Sequence, residues 1–328
     1  MKFGIFGGAR QKRGLADTDS PTGYRDWIEY NIEAEALGYH STFTTEHHFT
    51  GLGQVSASLH LLTYLAAKTT TLRLGTAVMT LPWHNPILLA EQAATLDLVS
   101  DGRLDFGIGK GYRYNEFNGF DIDMADADTI FEEAFGLILK AWQKEERWSH
   151  QGACWKFNDI LVEPPVVQKP HPPIWLAAGR PESIRAAARS GAHLLLDQYS
   201  PLTAALKRAD IFRDELTTMG VDPTTRQIAL ARGLFIAKDQ MEKDLVIERR
   251  TKSRGLVDEL AQTPKGDNSA SIMQFKGPEE AIDGALIGTL DEVQERLDAI
   301  RAGGIEYVLL SNAGGGIEGL RAFSREFL

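Results

Sequence analysis

Short apolar runs alternate with longer amphipathic segments along the whole chain. The short runs are rich in Val, Ile, Leu and Phe, as buried strands are, and the longer segments repeat apolar residues every three or four positions, as helices do. This alternation predicts a parallel sheet wound with crossover helices. The predicted strands cover residues 2–6, 40–45, 72–79, 103–108, 174–177, 193–197, 227–237 and 306–311.

The number of strands decides which parallel fold the pattern favours. Eight strands predict an α/β fold of the (β/α)8 TIM-barrel type, formed by a single domain over residues 1–328. An open, doubly wound sheet needs fewer strands and remains an alternative on pattern alone. The predicted helices cover residues 24–37, 56–68, 87–99, 127–142, 181–190, 203–219, 241–260, 291–301 and 317–327.

Two segments are longer than a minimal barrel requires. Residues 149–173 contain Trp155, Phe157 and several prolines without a helical period, which predicts a short hairpin or loop over the rim. Residues 263–288 contain the polar run 265–269. This second segment is interpreted either as a mobile lid or as a surface loop without a role.

The charge balance excludes two classes of partner. Acidic residues outnumber basic ones, for a net charge of −10, and the basic pairs at 12–13 and 249–250 are too short to form a basic face. We therefore expect no nucleic-acid or membrane partner. The apolar run 1–6 is too short for a signal peptide or a membrane span, so a cytoplasmic protein is expected. The single cysteine, Cys154, is interpreted as structural.

Adjacent histidines follow the second predicted strand. The sequence at 45–49 is Thr-Glu-His-His-Phe, and strand ends of this kind carry the chemistry of α/β barrels. Neighbouring side chains on extended backbone point to opposite faces, so His47 and His48 would share a metal ion only if the strand breaks there. No metal site is predicted. One histidine is expected to face the barrel mouth, with a half-buried core role as the alternative.

Glycine-rich turns offer three candidate anion sites. The segment 106–113, which contains Lys110 and Arg113, is a weak signal because it matches no nucleotide fingerprint. At 177–183 a strand end is followed by Gly179, Arg180, a helix-starting proline and Ser183, which suits a phosphate as well as it suits a simple capped turn. The turn at 312–316 competes with it, since barrels often bind phosphate after their last two strands.

Together these motifs resemble those of the bacterial luciferase-like flavin monooxygenases, over nearly the whole chain. The resemblance rests on their order. The motifs are Thr-Glu-His-His-Phe at 45–49, Leu-Gly-Thr-Ala-Val-Met-Thr-Leu-Pro at 74–82, Ala-Glu-Gln at 90–92 with Ser-Asp-Gly-Arg at 100–103, Phe-Gly-Ile-Gly-Lys-Gly at 106–111, and Ala-Gly-Arg-Pro-Glu-Ser at 178–183.

The resemblance implies roles for individual residues. His47 corresponds to the family histidine that faces the flavin as a general base or proton donor. Ala77 and Val78 correspond to a pair joined by a cis peptide behind the flavin ring. The phosphate-binding residues implied are Lys110, Gly179, Arg180 and Ser183. The resemblance therefore favours the turn at 177–183 over the turn at 312–316 as the phosphate site.

Substrate-binding residues are less clearly implied. Gly109 stands where luciferase has a reactive cysteine, which argues against light emission from long-chain aldehydes. The usual His-Pro after the third strand is shifted here, so His84 is interpreted either as a substrate contact or as a surface residue. An apolar substrate pocket is expected from Phe6, Trp83, Tyr112 and Tyr199.

The family resemblance implies a reaction with two co-substrates. Reduced FMN from a separate flavin reductase and dioxygen would oxygenate a small organic substrate, an aldehyde or ketone by preference, through a flavin hydroperoxide. Two alternatives remain: a deazaflavin-dependent hydride-transfer enzyme and a non-catalytic flavin-binding protein. Relatives also imply a homodimer formed through the helices at 56–68 and 87–99.

Overall fold

The computed structural model describes residues 1–11, 23–266, 270–274, 278–312 and 314–328. The basic pair 12–13 and positions 267–269 of the polar run lie outside the described residues, as does Ala313. The strands are β1 (Lys2–Gly7), β2 (Ser41–Thr44), β3 (Arg73–Thr76), β4 (Met79–Thr80), β5 (Leu104–Gly109), β6 (Trp148–Gln151), β7 (Lys156–Ile160), β8 (Ile174–Ala177), β9 (His193–Leu196), β10 (Ile228–Ile236), β11 (Ala285–Gly288) and β12 (Tyr307–Asn312). The helices are α1 (Tyr24–Ala36), α2 (Ser58–Ala66), α3 (Pro86–Val99), α4 (Tyr114–Gly119), α5 (Ala127–Gln143), α6 (Pro181–Arg189), α7 (Leu202–Thr218), α8 (Gln240–Ala261), α9 (Pro278–Asp283), α10 (Leu290–Ala302) and α11 (Gly316–Phe327).

Eight parallel strands close into a barrel. Their order around the ring is β1, β2, β3, β5, β8, β9, β10 and β12, and the pairings of β9 with β10 and of β12 with β1 close it. Helices connect successive strands. The (β/α)8 prediction is confirmed, and each of the eight predicted strands overlaps one strand of the ring; the open-sheet alternative is wrong.

Aromatic side chains fill the interior of the barrel. Phe43 and Tyr307 each meet the ring of Trp175 edge to face, with centroid distances of 5.6 Å and 5.5 Å. Gly75 makes room for this layer, because a Cβ built there would lie 2.5 Å from the Phe43 ring. Since the packed interior leaves no channel, a ligand has space only at an end of the barrel.

The first predicted insertion is a β-hairpin, as expected. β6 and β7 pair antiparallel, and Glu133 of α5 fastens the turn by accepting hydrogen bonds from His150 and from the backbone N–H groups of Cys154 and Trp155. The hairpin lies between α5 and β8, and therefore at the end of the barrel where strands begin. Cys154 is exposed, and partial desolvation together with Glu133 raises the pKa of its thiol, which disfavours the reactive thiolate.

The second predicted insertion contains regular structure that the sequence did not indicate. β11 is buried along its whole length and extends the sheet by pairing with β10 outside the ring, and α9 precedes it. The 22-residue helix α8 contacts both β11 and α4, so it crosses the end of the barrel at which the strands finish. No helix within these described ranges combines the length and the apolar character needed to cross a bilayer.

Candidate active site

A cavity of about 1010 Å³ opens at the carboxyl ends of the barrel strands, beneath α8. It brings together most of the residues that the sequence singled out, although they come from five different connections. The predicted residues that line it are Phe6, His47, Ala77, Val78, Lys110, Tyr112, Gly179, Arg180, Ser183 and Tyr199. Trp83 and His84 do not line this cavity.

His47 is fixed in place by a buried glutamate. Its backbone N–H donates to the carbonyl of Val55 at 2.8 Å, and its Nδ1 lies 2.9 Å from Oε1 of Glu116 in α4. The same carboxylate oxygen accepts the backbone N–H of His48 at 2.9 Å. Because a carboxylate can only accept, Nδ1 carries the proton, and Nε2 is the ring nitrogen left for the cavity.

The surroundings of His47 favour its neutral form. Burial lowers the pKa of the ring, and the nearby carboxylate of Glu116 opposes that effect without overcoming it, while Arg113 adds to the lowering. At neutral pH the ring is therefore uncharged, with Nδ1–H donating to Glu116. Nε2 is then a proton acceptor facing the cavity, which is the state that a general base requires.

His48 and His84 belong to a separate network behind the cavity. Both Nε2 atoms reach Oε1 of Glu46, at 2.9 Å and 2.7 Å, and Oε2 of Glu46 accepts the N–H of Thr80 at 3.2 Å. Burial acts to raise the pKa of Glu46, but the hydrogen bonds from the two histidines outweigh it and lower the pKa to about 2. His84 lines a second cavity of about 200 Å³ instead of the large one.

Trp83 packs in an aromatic cluster and not against the cavity. Its ring stacks on Phe120 at a centroid distance of 5.5 Å and meets Phe117 edge to face at 5.2 Å. Of the residues predicted to bind substrate, Phe6, Tyr112 and Tyr199 line the large cavity and Trp83 does not.

A backbone bulge forms one wall of the cavity between β3 and β4. The Ala77–Val78 peptide is cis, as the family resemblance implied. Gly109 at the end of β5 packs against it, because a Cβ built there would lie 2.7 Å from Cγ2 of Val78. Gly107 is tighter still, since its Cβ would lie 1.8 Å from the Thr76 carbonyl oxygen. Glycine at 109 therefore follows from the packing of this wall, which has no room there for a cysteine.

The predicted phosphate residues meet at the ends of two adjacent strands. Gly179 and Arg180 connect β8 to α6, and Arg180, at the N-cap position, makes no capping hydrogen bond with its side chain, so its guanidinium and the first N–H groups of the helix can meet a ligand. The Arg180 side chain is exposed. Lys110 follows β5, the neighbouring strand, and pairs with Asp128. Two cations beside an uncapped helix start are a donor set that fits a phosphate.

Several residues of the site were missed by the sequence reasoning. Glu116 was not assigned a role, although it orients His47. Arg113 was considered only as part of a candidate anion site, whereas it is buried and donates to Gln54 at 3.2 Å. The cavity wall also includes Arg249 and Arg250 of α8. A signal for Glu116 existed in principle, since it lies in the connection after β5 and connections after barrel strands converge at one end.

Comparison with known proteins agrees with this geometry. The chain matches the family model described as luciferase-like monooxygenase over residues 1–307. The oxygenase component of a flavin-dependent trigonelline monooxygenase from Acinetobacter baylyi is 27% identical over 298 residues, which are 86% of this chain and 81% of that protein.

Two solved structures show the same fold. Monooxygenase RslO1 from Streptomyces bottropensis superposes with a TM-score of 0.85 at 25% identity, over 100% of this chain and 98% of that one. The oxygenating constituent of 3,6-diketocamphane monooxygenase from Pseudomonas putida, solved in complex with FMN, gives a TM-score of 0.78 at 20% identity over 99% and 97% of the two chains. The chain belongs to the luciferase-like monooxygenase family.

Proposed function

We propose that this protein is the oxygenase component of a two-component flavin-dependent monooxygenase. Reduced FMN from a separate reductase and dioxygen are its co-substrates, and a small aldehyde or ketone is the favoured substrate. The observation that carries the proposal is His47, whose Nδ1 is held by Glu116 and whose ring lines a large cavity that the Ala77–Val78 bulge borders. The name of the Acinetobacter relative, an oxygenase component, supports the division of labour with a reductase.

The residues present fit FMN. Ligand cavities usually measure about 300–1,000 Å³, and this one, at about 1010 Å³, has room for a flavin and a substrate together. The bulge at Ala77 and Val78 would support the ring, while Gly179, Arg180 and Ser183 would hold the phosphate at the start of α6, with Lys110 beside them. The FMN complex of the diketocamphane enzyme, which has the same fold, is consistent with this assignment.

Reduced FMN supplies the two electrons with which one atom of dioxygen enters the substrate and the other leaves as water. The chain's own residues limit the entry of water and accept protons. The cavity lies beneath α8, which limits entry of solvent, and Nε2 of His47 is placed to accept a proton from a group in the cavity. The carboxylate of Glu116 stabilises the imidazolium that results.

A homodimer is the expected assembly. α2 and α3 expose large apolar side chains, with Tyr64 at 52%, Leu88 at 53% and Val99 at 55% exposure. Exposed apolar side chains on adjacent helices favour a protein interface. Sedimentation equilibrium would give twice the chain mass if this expectation holds.

Isotope labelling tests the proposed reaction. The protein would be mixed with a flavin reductase, NADH, FMN and ¹⁸O₂, together with a panel of aldehydes and ketones, and the products analysed by mass spectrometry. We expect one ¹⁸O atom in the product, dependent on this protein and on FMN. A panel-wide lack of labelled product, combined with anaerobic hydride transfer from a reduced deazaflavin, would support the alternative enzyme instead.

A further inference from the structure

A second cationic region lies at the opposite end of the cavity from the predicted phosphate site. Arg249 and Arg250 of α8 line this end together with Gly315 and Gly316, which follow β12. Around the ring β12 is four strands from β5, so this region faces Lys110 across the mouth of the barrel. The predicted phosphate residues therefore do not account for these arginines.

Arg249 is placed to bind a ligand. Its guanidinium lies beside Gly314, where a Cβ would come within 3.3 Å of Nη1, and its side chain is exposed to the cavity. Within the described parts of the chain, Arg249 makes no hydrogen bond and no ion pair. The nearby carboxylate of Glu318 is already bonded to Arg321 at 2.9 Å, and Asp26 and Glu29 of α1 are exposed to solvent at the rim.

Two further arginines of this region, Arg250 and Arg232, add positive potential. Arg250 donates to the carbonyl of Gln198, in the connection after β9, at 2.6 Å, and a Cβ at Gly233 of β10 would lie 2.3 Å from its Nη1. Arg232 is 1% exposed and donates to the main-chain carbonyls of Asp197, Ala231 and Ser200 at 3.0–3.1 Å. Two carboxylates, Asp197 and Asp283, also act on this sector, but they are fewer than its four arginines, Arg208, Arg232, Arg249 and Arg250, so the sector carries a net positive charge.

The cavity wall also includes the apolar or aromatic side chains of Tyr199, Leu256, Val257 and Ile272. The Tyr199 ring lies 5.3 Å from the Arg250 guanidinium carbon. A ligand that fits both features has an apolar or aromatic body and one anionic group. Arginine pairs with planar, two-oxygen anions in a bidentate manner, and the carboxylate is the common example on organic molecules.

We propose that Arg249, supported by Arg250, binds a carboxylate on the substrate, so that the enzyme acts on carbonyl compounds that also carry a carboxylate. The proposal rests on the proposed function for the reacting group, but the anion site itself is independent of the reaction. It also assigns α8 the task of selecting substrates by charge.

A matched pair of probes tests the site. Binding of 4-formylbenzoate and of the neutral 4-formylbenzamide to the protein saturated with oxidised FMN would be measured by calorimetry, without reductant. We expect the acid to bind and the amide to bind at least about tenfold more weakly, because the amide cannot form the charge-assisted pair with Arg249. In Arg249→Gln the preference for the acid should disappear, and in Lys252→Gln, an exposed change on the same helix, it should persist.

Other outcomes would overturn the proposal. Equal binding of acid and amide, or no binding of either, would show that no carboxylate site exists. If Arg249→Gln weakens FMN binding and Arg180→Ala does not, this region holds the flavin phosphate instead. The acid could bind selectively, in an Arg249-dependent manner, without 4-formylbenzoate being oxygenated. This result would contradict the proposed reaction and support the anion site.

Discussion

Replacing Glu116 by glutamine tests how the protein controls His47. The substitution keeps the size of the side chain and an oxygen that can still accept the N–H of His48, so the local backbone should be retained. It removes the negative charge that lies 2.9 Å from Nδ1 of His47. The change therefore isolates the electrostatic part of the contact from its geometry.

The size of the effect follows from the strength of the hydrogen bond. Glu116 is buried, with 3% of its side chain exposed, so solvent screens the contact little. A hydrogen bond to a charged group contributes about 1.5–3 kcal/mol and a neutral one about 0.5–1.5 kcal/mol. Glutamine should thus lose about 1–1.5 kcal/mol, which corresponds to roughly a tenfold lower rate. His47→Ala removes the base itself and should cost roughly 100-fold or more.

The pH dependence of oxygenation gives a second measure. Activity that depends on neutral His47 falls as the pH drops through the pKa of the ring. Burial already lowers that pKa and Glu116 counteracts the lowering, so loss of the carboxylate lowers it further. The acidic limb of the profile of kcat/KM should move to lower pH in Glu116→Gln, while the maximal rate decreases.

The hairpin provides a matched control. Glu133 contacts His150 at the same distance, 2.9 Å, at the opposite end of the barrel, so Glu133→Gln should leave the rate and the pH profile unchanged. FMN titration would verify that Glu116→Gln still binds the cofactor. Wild-type rate and pH profile in Glu116→Gln, alongside a large loss in His47→Ala, would refute the role assigned to Glu116.

Three further variants test other parts of the structure. Arg180→Ala, at the start of α6, should weaken FMN binding roughly tenfold in a fluorescence titration, whereas Arg189→Ala, at the end of that helix, should not. Unchanged affinity in Arg180→Ala would favour the turn at 312–316 as the phosphate site. The pKa of Glu46 is depressed in the folded state to about 2, so its ionised form contributes about 3 kcal/mol to the free energy of unfolding above pH 4.5, and this contribution is lost as the pH falls toward 2. In denaturant titrations, the stability of Glu46→Gln should therefore depend less steeply on pH than that of the wild type. The same pH dependence in both proteins would disprove the reasoning. The double variant Leu88→Lys, Val99→Lys should sediment as a monomer with an unchanged circular dichroism spectrum, and a persistent dimer would exclude this face.

The barrel could be predicted because its strands are continuous buried runs between amphipathic helices. Such runs stand out in one dimension, and each of the eight overlaps a strand of the ring. α4 was missed because six residues are too few to establish a helical period, whereas β11 was missed because its four residues lie inside a segment that was interpreted from its polar run. The segment interpreted as a lid or loop therefore contains a strand buried against β10, and motion of its remaining part stays a prediction.

Site residues could be predicted only where they belong to short sequence motifs. The glycines and the cis pair at Ala77–Val78 belong to short motifs. These motifs can be recognised because they occur in a characteristic order along the chain. Glu116 is 69 residues from His47, and nothing in the spacing of the two indicates a contact. Trp83 was expected in the substrate pocket, and His84 was interpreted either as a substrate contact or as a surface residue. Neither lines the large cavity, since Trp83 packs against Phe117 and Phe120 and His84 lines the smaller cavity.

The order of strands around the ring is consistent with the role proposed for His47. His47 follows β2, and β2 is two strands from β5 on one side and two strands from β12 on the other. A flavin phosphate held near Lys110 and a substrate carboxylate held by Arg249 would therefore place the flavin ring and the substrate carbonyl between them, beside Nε2 of His47. His48 cannot replace it, because its Nε2 is bonded to Glu46 outside that line. A substrate that lacks the carboxylate should accordingly lose kcat as well as affinity, since its carbonyl is no longer positioned against the base.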